Sequence, residues 1–192
     1  MNYLFIVFMS IIIVIFLKNN NYNWNNKIIT VTSNIDNRDY IVLDFNDSLT
    51  AANTLAEINK KIEKLFDVNK SSNLEPIKRL IRKYNPSSLC ELENDSYTAY
   101  SLNKGEKIAI CLRDVKSKKL INDINTTMFI IIHELAHIMS VTEQHTEEFW
   151  NNMKLLIYKC KECGIYTPID YSKNNIYYCN QVINSNPYFK NK

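Results

Sequence analysis

The whole imidazole content of this 192-residue chain is three histidines, and they fall within one short stretch: His133, His137 and His145. The first two frame the run His133-Glu134-Leu135-Ala136-His137, an H-E-x-x-H pattern. On a helix, residues four apart project to the same side one turn apart. Two neutral imidazoles so placed can hold two corners of a Zn²⁺ tetrahedron. Glu134, one position on, can reach a water activated by the ion without ligating the ion itself, and take its proton as a general base. Activated in this way, the water can attack a peptide carbonyl. A chain with 3 His and 11 Glu produces this pattern by chance with a frequency of about 0.003. The bland alternative, two satisfied core histidines on an apolar helix, leaves the third histidine unexplained.

The third ligand has two sources. His145 follows His137 by eight residues, across Ser140-Val141-Thr142-Glu143-Gln144, and a loop after the helix can bring it back under the metal. Alternatively a carboxylate from the next helix, Glu147 or Glu148, takes that corner. Imidazole is the commoner ligand, which favours His145. A metzincin would need its third histidine six residues after the second, with a glycine between. No glycine lies between His137 and His145.

These residues need elements to position them. Asp123 opens an unusually apolar helix that runs to about Ser140 and carries the motif. A following helix, Thr146 to about Cys160, puts Phe149, Met153, Leu156 and Ile157 on one side. Upstream, two alternating runs, Tyr97–Asn103 and Lys107–Arg113, flank Asn103-Lys104-Gly105-Glu106 and predict a hairpin. Ser48 is a candidate N-cap for a helix over Ala51–Phe66. Pro76 sits in the first turn of another, Ile77–Tyr84. Ile28–Thr32 reads as a weak strand and Tyr40–Phe45 as a β-rich run. No element is assigned from Gly164 to the end. Cys160-Lys161-Glu162-Cys163 lacks a fourth zinc ligand, so these thiols and Cys179 are expected to be free. Tyr97 and Tyr100 could donate to an oxyanion, although such tyrosines more often pack. Arg113 is expected to cap the hairpin rather than meet a substrate carboxylate.

The motif with His145 and Thr146-Glu147-Glu148-Phe149-Trp150 resembles the WLM metalloproteases, whose signature is H-E-L-x-H, a short loop, a third histidine and a nearby F-W or F-Y pair. The run from Ser96-Tyr97-Thr98-Ala99-Tyr100 through Ile108-Ala109-Ile110-Cys111-Leu112-Arg113 is similar to their substrate-side strands, and the layout resembles WLM-domain proteins of large DNA viruses. The resemblance implies an α+β, zincin-like fold with a small antiparallel sheet and an H-E-x-x-H active-site helix. It also implies a zinc-dependent peptidase with His133, His137 and His145 as ligands and Glu134 as catalyst. In this chain the loop before His145 is about two residues longer than the usual WLM spacing and lacks its Gly-Pro.

At the other end, the 17 residues before Lys18 carry no charged side chain. They span about 25 Å as a helix, near the short limit for a bilayer. A basic n-region and a small-residue cleavage site are both missing, which favours an uncleaved anchor over a signal peptide. Lys18 and Lys27 follow the run, so the positive-inside rule keeps the domain on the cytoplasmic side. The expected organisation is a transmembrane anchor over 1–18, a polar tether over 19–37 and the metallopeptidase domain over 38–192. A net charge of +3 gives no basic field for nucleic acid. The partners expected are a protein or peptide substrate and the membrane, with the chain a monomer. The competing reading is a catalytically inactive, membrane-anchored module that binds proteins.

Overall fold

The computed structural model describes residues 27–93 and 97–190, and strand pairing begins at Ile28. β1 (Ile28–Thr32) and β2 (Asp39–Leu43) form an antiparallel pair that starts at Thr32↔Asp39. This is the weak strand inside the stretch read as a tether. Tyr40 and Val42 of β2 point into the core, whereas Asp39 and Ile41 face outward, the period of two expected of a half-buried strand.

α1 (Ser48–Asn69) lays Ala51, Leu55, Ile58, Ile62 and Leu65 onto this layer and runs about a turn further at each end than periodicity indicates. Ser48 is its first helical residue and not the cap. Asp47 holds the cap position but makes no capping hydrogen bond; its carboxylate instead lies 2.7 Å from the Arg113 guanidinium. α2 (Glu75–Lys83) starts with Pro76 in its first turn, where the missing N–H costs nothing.

The central sheet is three-stranded, in the order β3-β5-β4. β4 (Ala99–Leu102) and β5 (Lys107–Ile110) are the expected antiparallel hairpin. β3 (Leu89–Glu91) joins β5 in parallel, so the sheet is mixed and not purely antiparallel. Three residues ending in a carboxylate carry no alternation to read. Glu91 is nonetheless buried, accepting from the Leu43 N–H at 2.8 Å and from Arg113 Nε at 2.7 Å. At the hairpin tip Asn103, Lys104 and Gly105 all have positive φ, 46°, 54° and 108°. A Cβ at Gly105 would lie 2.9 Å from the Ile138 side chain, so glycine lets the tip rest directly on the next helix.

That helix is α3 (Ile124–Met139), capped by Asp123, which accepts from the Thr126 N–H at 3.0 Å. It is buried on most sides, packed against α2, the β4–β5 hairpin and α4 (Glu147–Glu162). α4 begins at Thr146, whose hydroxyl accepts from the Phe149 N–H at 3.4 Å. The unassigned tail folds into a second hairpin, β6 (Ile176–Tyr178) and β7 (Gln181–Ile183).

Two further expectations need correction. Cys179 is not a free thiol: it forms a disulfide with Cys111, 68 residues away, whereas Cys90, Cys160 and Cys163 are free. No local spacing encodes such a pair. Closing a loop of 68 residues stabilises a fold by about 4 kcal/mol in the chain-entropy model. The Cys111→Ala/Cys179→Ala protein should unfold at lower denaturant by that order, and reducing the wild type should reproduce the loss; equal unfolding curves would show that the link adds nothing. The second correction concerns localisation. Among the described residues no helix is long and apolar enough to cross a membrane, and the 1–18 run on which single-pass anchoring rested lies outside them. The α+β architecture, with small sheets and four helices among the described residues, stands without that anchor.

Candidate functional site

α3 presents His133 and His137 one turn apart, with ring centroids 5.1 Å from each other. After Met139 the chain leaves the helix, and Gln144 in the left-handed region (φ 64°) redirects it. His145 is thereby carried back over α3, its Nε2 2.9 Å from His133 Nε2. Ligand nitrogens of all three histidines lie within 4.8 Å of one another. Fully buried Phe149, in the first turn of α4, forms the floor, its ring 4.9, 4.4 and 4.7 Å from those of His133, His137 and His145. Trp150 packs beside His145 at 5.6 Å.

Three side chains from three elements hold the loop that delivers His145. Lys104 Nζ, at the β4–β5 tip, donates to the carbonyls of Ser140 (2.9 Å), Val141 (2.5 Å) and Thr142 (3.2 Å). Arg79 of α2 donates to the Met139 carbonyl and lies 3.8 Å from the Glu148 carboxylate. Both cations therefore sit where the α3 C-terminus leaves carbonyls unpaired and the helix dipole is negative. Glu148 accepts from the Val141 and Thr142 N–H groups, each at 2.9 Å, and from the Thr142 hydroxyl at 2.7 Å. Those backbone donors draw its pKa down to about 2. This clamp is therefore complete above the ordinary carboxylate range and is lost only as the pH falls toward that value.

The electrostatics favour neutral imidazoles. Burial, then the positive charges His137 and His145 would carry, pushes the pKa of His133 down to about 3. Burial, then His145 and Lys104, pushes His137 down to about 4. Both rings are thus neutral at neutral pH, each with one unprotonated nitrogen able to serve as a ligand. Glu134 is 6% exposed, and burial raises its pKa to about 7. Three imidazole nitrogens suit a metal ion with one position left open. With metal–nitrogen bonds of about 2.0–2.1 Å, tetrahedral ligand nitrogens stand about 3.4 Å apart. The observed spacings, from 2.9 Å between two of them to a limit of 4.8 Å, bracket that value.

Two clefts open on the histidines, and both include Ala99, His133, Glu134 and His145. One, of about 430 Å³, is polar, with Ser101, Asn103, Lys104 and Glu143 in its lining. The other, of about 350 Å³, is bounded by Tyr97, Ile130, Trp150, Met153 and Val182. β4 borders both and is the terminal strand of its sheet, paired with β5 on one side.

The sequence model for the WLM domain matches residues 50–185. The chain belongs to the WLM family. It is 35% identical over 160 residues to an uncharacterized protein of Acanthamoeba polyphaga mimivirus, covering 80% of this chain and 81% of that one. It is 42% identical over 71 residues to an uncharacterized protein of Invertebrate iridescent virus 3, covering 36% and 43% respectively. The crystal structure of Wss1 from Saccharomyces cerevisiae shares the fold, with a TM-score of 0.52 at 21% identity over 64% of this chain and 87% of that chain.

Within this WLM domain, His133, Glu134, His137 and His145 come together. Glu147 and Glu148, the rival third ligands, do not join the metal-capable group among the described residues; the Glu148 carboxylate is committed to the loop. Arg113 neither caps the hairpin nor lines either of these two clefts. It is 4% exposed, ion-paired to Glu91 and Asp47 at 2.7 Å each, with the Phe45 ring at 4.4 Å. Tyr97 lines the apolar cleft and Tyr100 the polar one. Lys104, Arg79 and the clamping role of Glu148 escaped the sequence reading. In sequence Lys104 is only a charged turn residue, Arg79 a charge inside a short polar helix and Glu148 an acid in a first helical turn, patterns that fit any exposed surface.

Proposed function

We propose that this WLM-family protein is a zinc-dependent peptidase, with His133, His137 and His145 holding the ion and Glu134 moving the proton. The observation that carries this reading is the convergence of three imidazole nitrogens within 4.8 Å beside a carboxyl group that lines the same two clefts. Zinc bound there supplies a Lewis acid that polarises a carbonyl and acidifies water.

The chain's own residues do the rest. Glu134 accepts the proton of the attacking water at a carboxylate oxygen and returns it to the leaving amine. Its place on a helix buried on most sides fixes that oxygen relative to the histidines, so little reorganisation accompanies the transfer. The outer edge of β4 offers backbone N–H and C=O groups to an extended polypeptide, which would lie across both clefts as an added strand. A site meant only to stiffen the fold would need neither a buried carboxyl at its side nor clefts leading to it. The test is metal analysis and proteolysis on one preparation. We expect one zinc per chain, cleavage of an unfolded polypeptide, and loss of cleavage with a chelator. Stoichiometric zinc with no cleavage of any unfolded substrate would leave an inactive protein-binding module instead.

A further inference from the structure

The two clefts differ in chemistry, and the difference points to substrate choice. The polar one contains Lys104 and Glu143. In the other, the ionisable side chains are those of the site itself and Tyr97; the remaining lining is uncharged and mostly apolar, with Thr98, Gln181, Asn184 and Ser185 as its polar members. Its apolar walls come from four elements: Ala99 of β4, Ile130 of α3, Trp150 and Met153 of α4, and Val182 and Ile183 of β7.

The β7 wall is pinned at both ends. Before it, Cys179 is bonded to Cys111, and the buried Tyr178 hydroxyl donates to the Cys111 carbonyl at 2.8 Å and lies 3.0 Å from the Thr127 hydroxyl on α3. After it, the buried Asn186 side-chain amide donates to the Tyr166 hydroxyl at 3.1 Å and to the Ile169 carbonyl at 3.0 Å. A wall so held filters by size and does not fold around whatever enters. Val182 itself is 55% exposed, so its side chain faces the cleft mouth without supporting the core.

We infer that this apolar cleft is a side-chain subsite selecting a large apolar residue next to the cut bond of an extended polypeptide, with Val182 as a specificity-determining residue. The inference rests on the peptidase reading for the word "cut" but not for the binding. Three features choose the occupant. About 350 Å³ is within the range of ligand-sized sites, which are mostly apolar. The cleft reaches His133, Glu134 and His145, so a residue adjoining the reacting bond is the one whose side chain enters. A charged side chain there would lose water and, apart from the site's own groups, meet no counter-ion.

The test uses the zinc-loaded protein and peptides that differ only at the residues flanking the cut bond. Phe or Leu should exceed Ala in kcat/KM by about 10- to 200-fold, the range for apolar groups filling a pocket, and Lys or Asp should fall below Ala. Val182→Asp should shrink the Phe-to-Lys ratio at least about tenfold; a ratio taken within one variant is independent of how much active enzyme each preparation holds. Equal rates for Phe, Ala and Lys in the wild type, or a ratio that Val182→Asp leaves unchanged, overturns the subsite. A second measurement needs no turnover: methyl NMR of the wild type with Phe- and Ala-containing peptides. Phe peptides alone should shift the Ile130, Met153 and Val182 methyls. Those shifts without any cleavage would retain the subsite and sink the peptidase reading, whereas shifts confined to other methyls would sink the subsite.

Discussion

Glu134→Gln is expected to keep metal binding and folding near wild type while lowering peptide cleavage by about 10²- to 10⁴-fold, equivalent to about 3–5 kcal/mol of barrier. The amide matches the carboxyl in size, which matters at a side chain only 6% exposed, where extra volume would strain the packing. It can still hydrogen-bond a water, so the ground-state arrangement survives. What it lacks is an oxygen basic enough to take the proton and give it to the departing amine. Metal content, a thermal unfolding curve and kcat/KM on one preparation separate these effects. A zinc-loaded Gln variant that cleaves at the wild-type rate would remove Glu134 from the mechanism. A variant that loses zinc as well would mean that the carboxylate helps hold the ion.

Much of this site was legible because its information is local. A spacing of four on an apolar helix places His133 and His137 together whatever surrounds them, and the alternating runs around Asn103-Lys104-Gly105 form the expected hairpin. Helix limits were read to within a few residues, because apolar periodicity persists until the packing ends. The parts that escaped depend on contacts distant in sequence. Leu89–Glu91 is a strand only because β5 lies beside it and Arg113 neutralises Glu91. Ile176–Tyr178 and Gln181–Ile183 are three residues each, too short for a period to show. The Cys111–Cys179 link spans 68 residues, and five cysteines allow many pairings. Lys104 reads as a turn residue and Glu148 as a possible ligand until the fold puts both on the loop that carries His145.

His145→Ala should weaken zinc binding by more than the about 10- to 100-fold typical of changes that remove a hydrogen-bond partner of a ligand. It deletes one of three nitrogens, and the remaining pair on α3 must share the ion with water. Glu148→Ala should cost only within that about 10- to 100-fold range, because it leaves every nitrogen in place and removes only loop contacts: the acceptor of the Val141 and Thr142 N–H groups and the Thr142 hydroxyl, and the partner of Arg79. The ion would then have to order the loop on binding, which lowers apparent affinity without changing the ligand set. Glu148→Gln should fall between wild type and Ala, since one amide oxygen can accept from part of the donor set that two carboxylate oxygens now satisfy. Competition against a chelator of known affinity ranks the three variants on one scale. The order expected is Glu148→Gln mildest, Glu148→Ala next and His145→Ala most severe. Should Glu148→Ala equal or exceed His145→Ala, the carboxylate would be the third ligand, and the loop would have to release it from two backbone N–H groups to make it so.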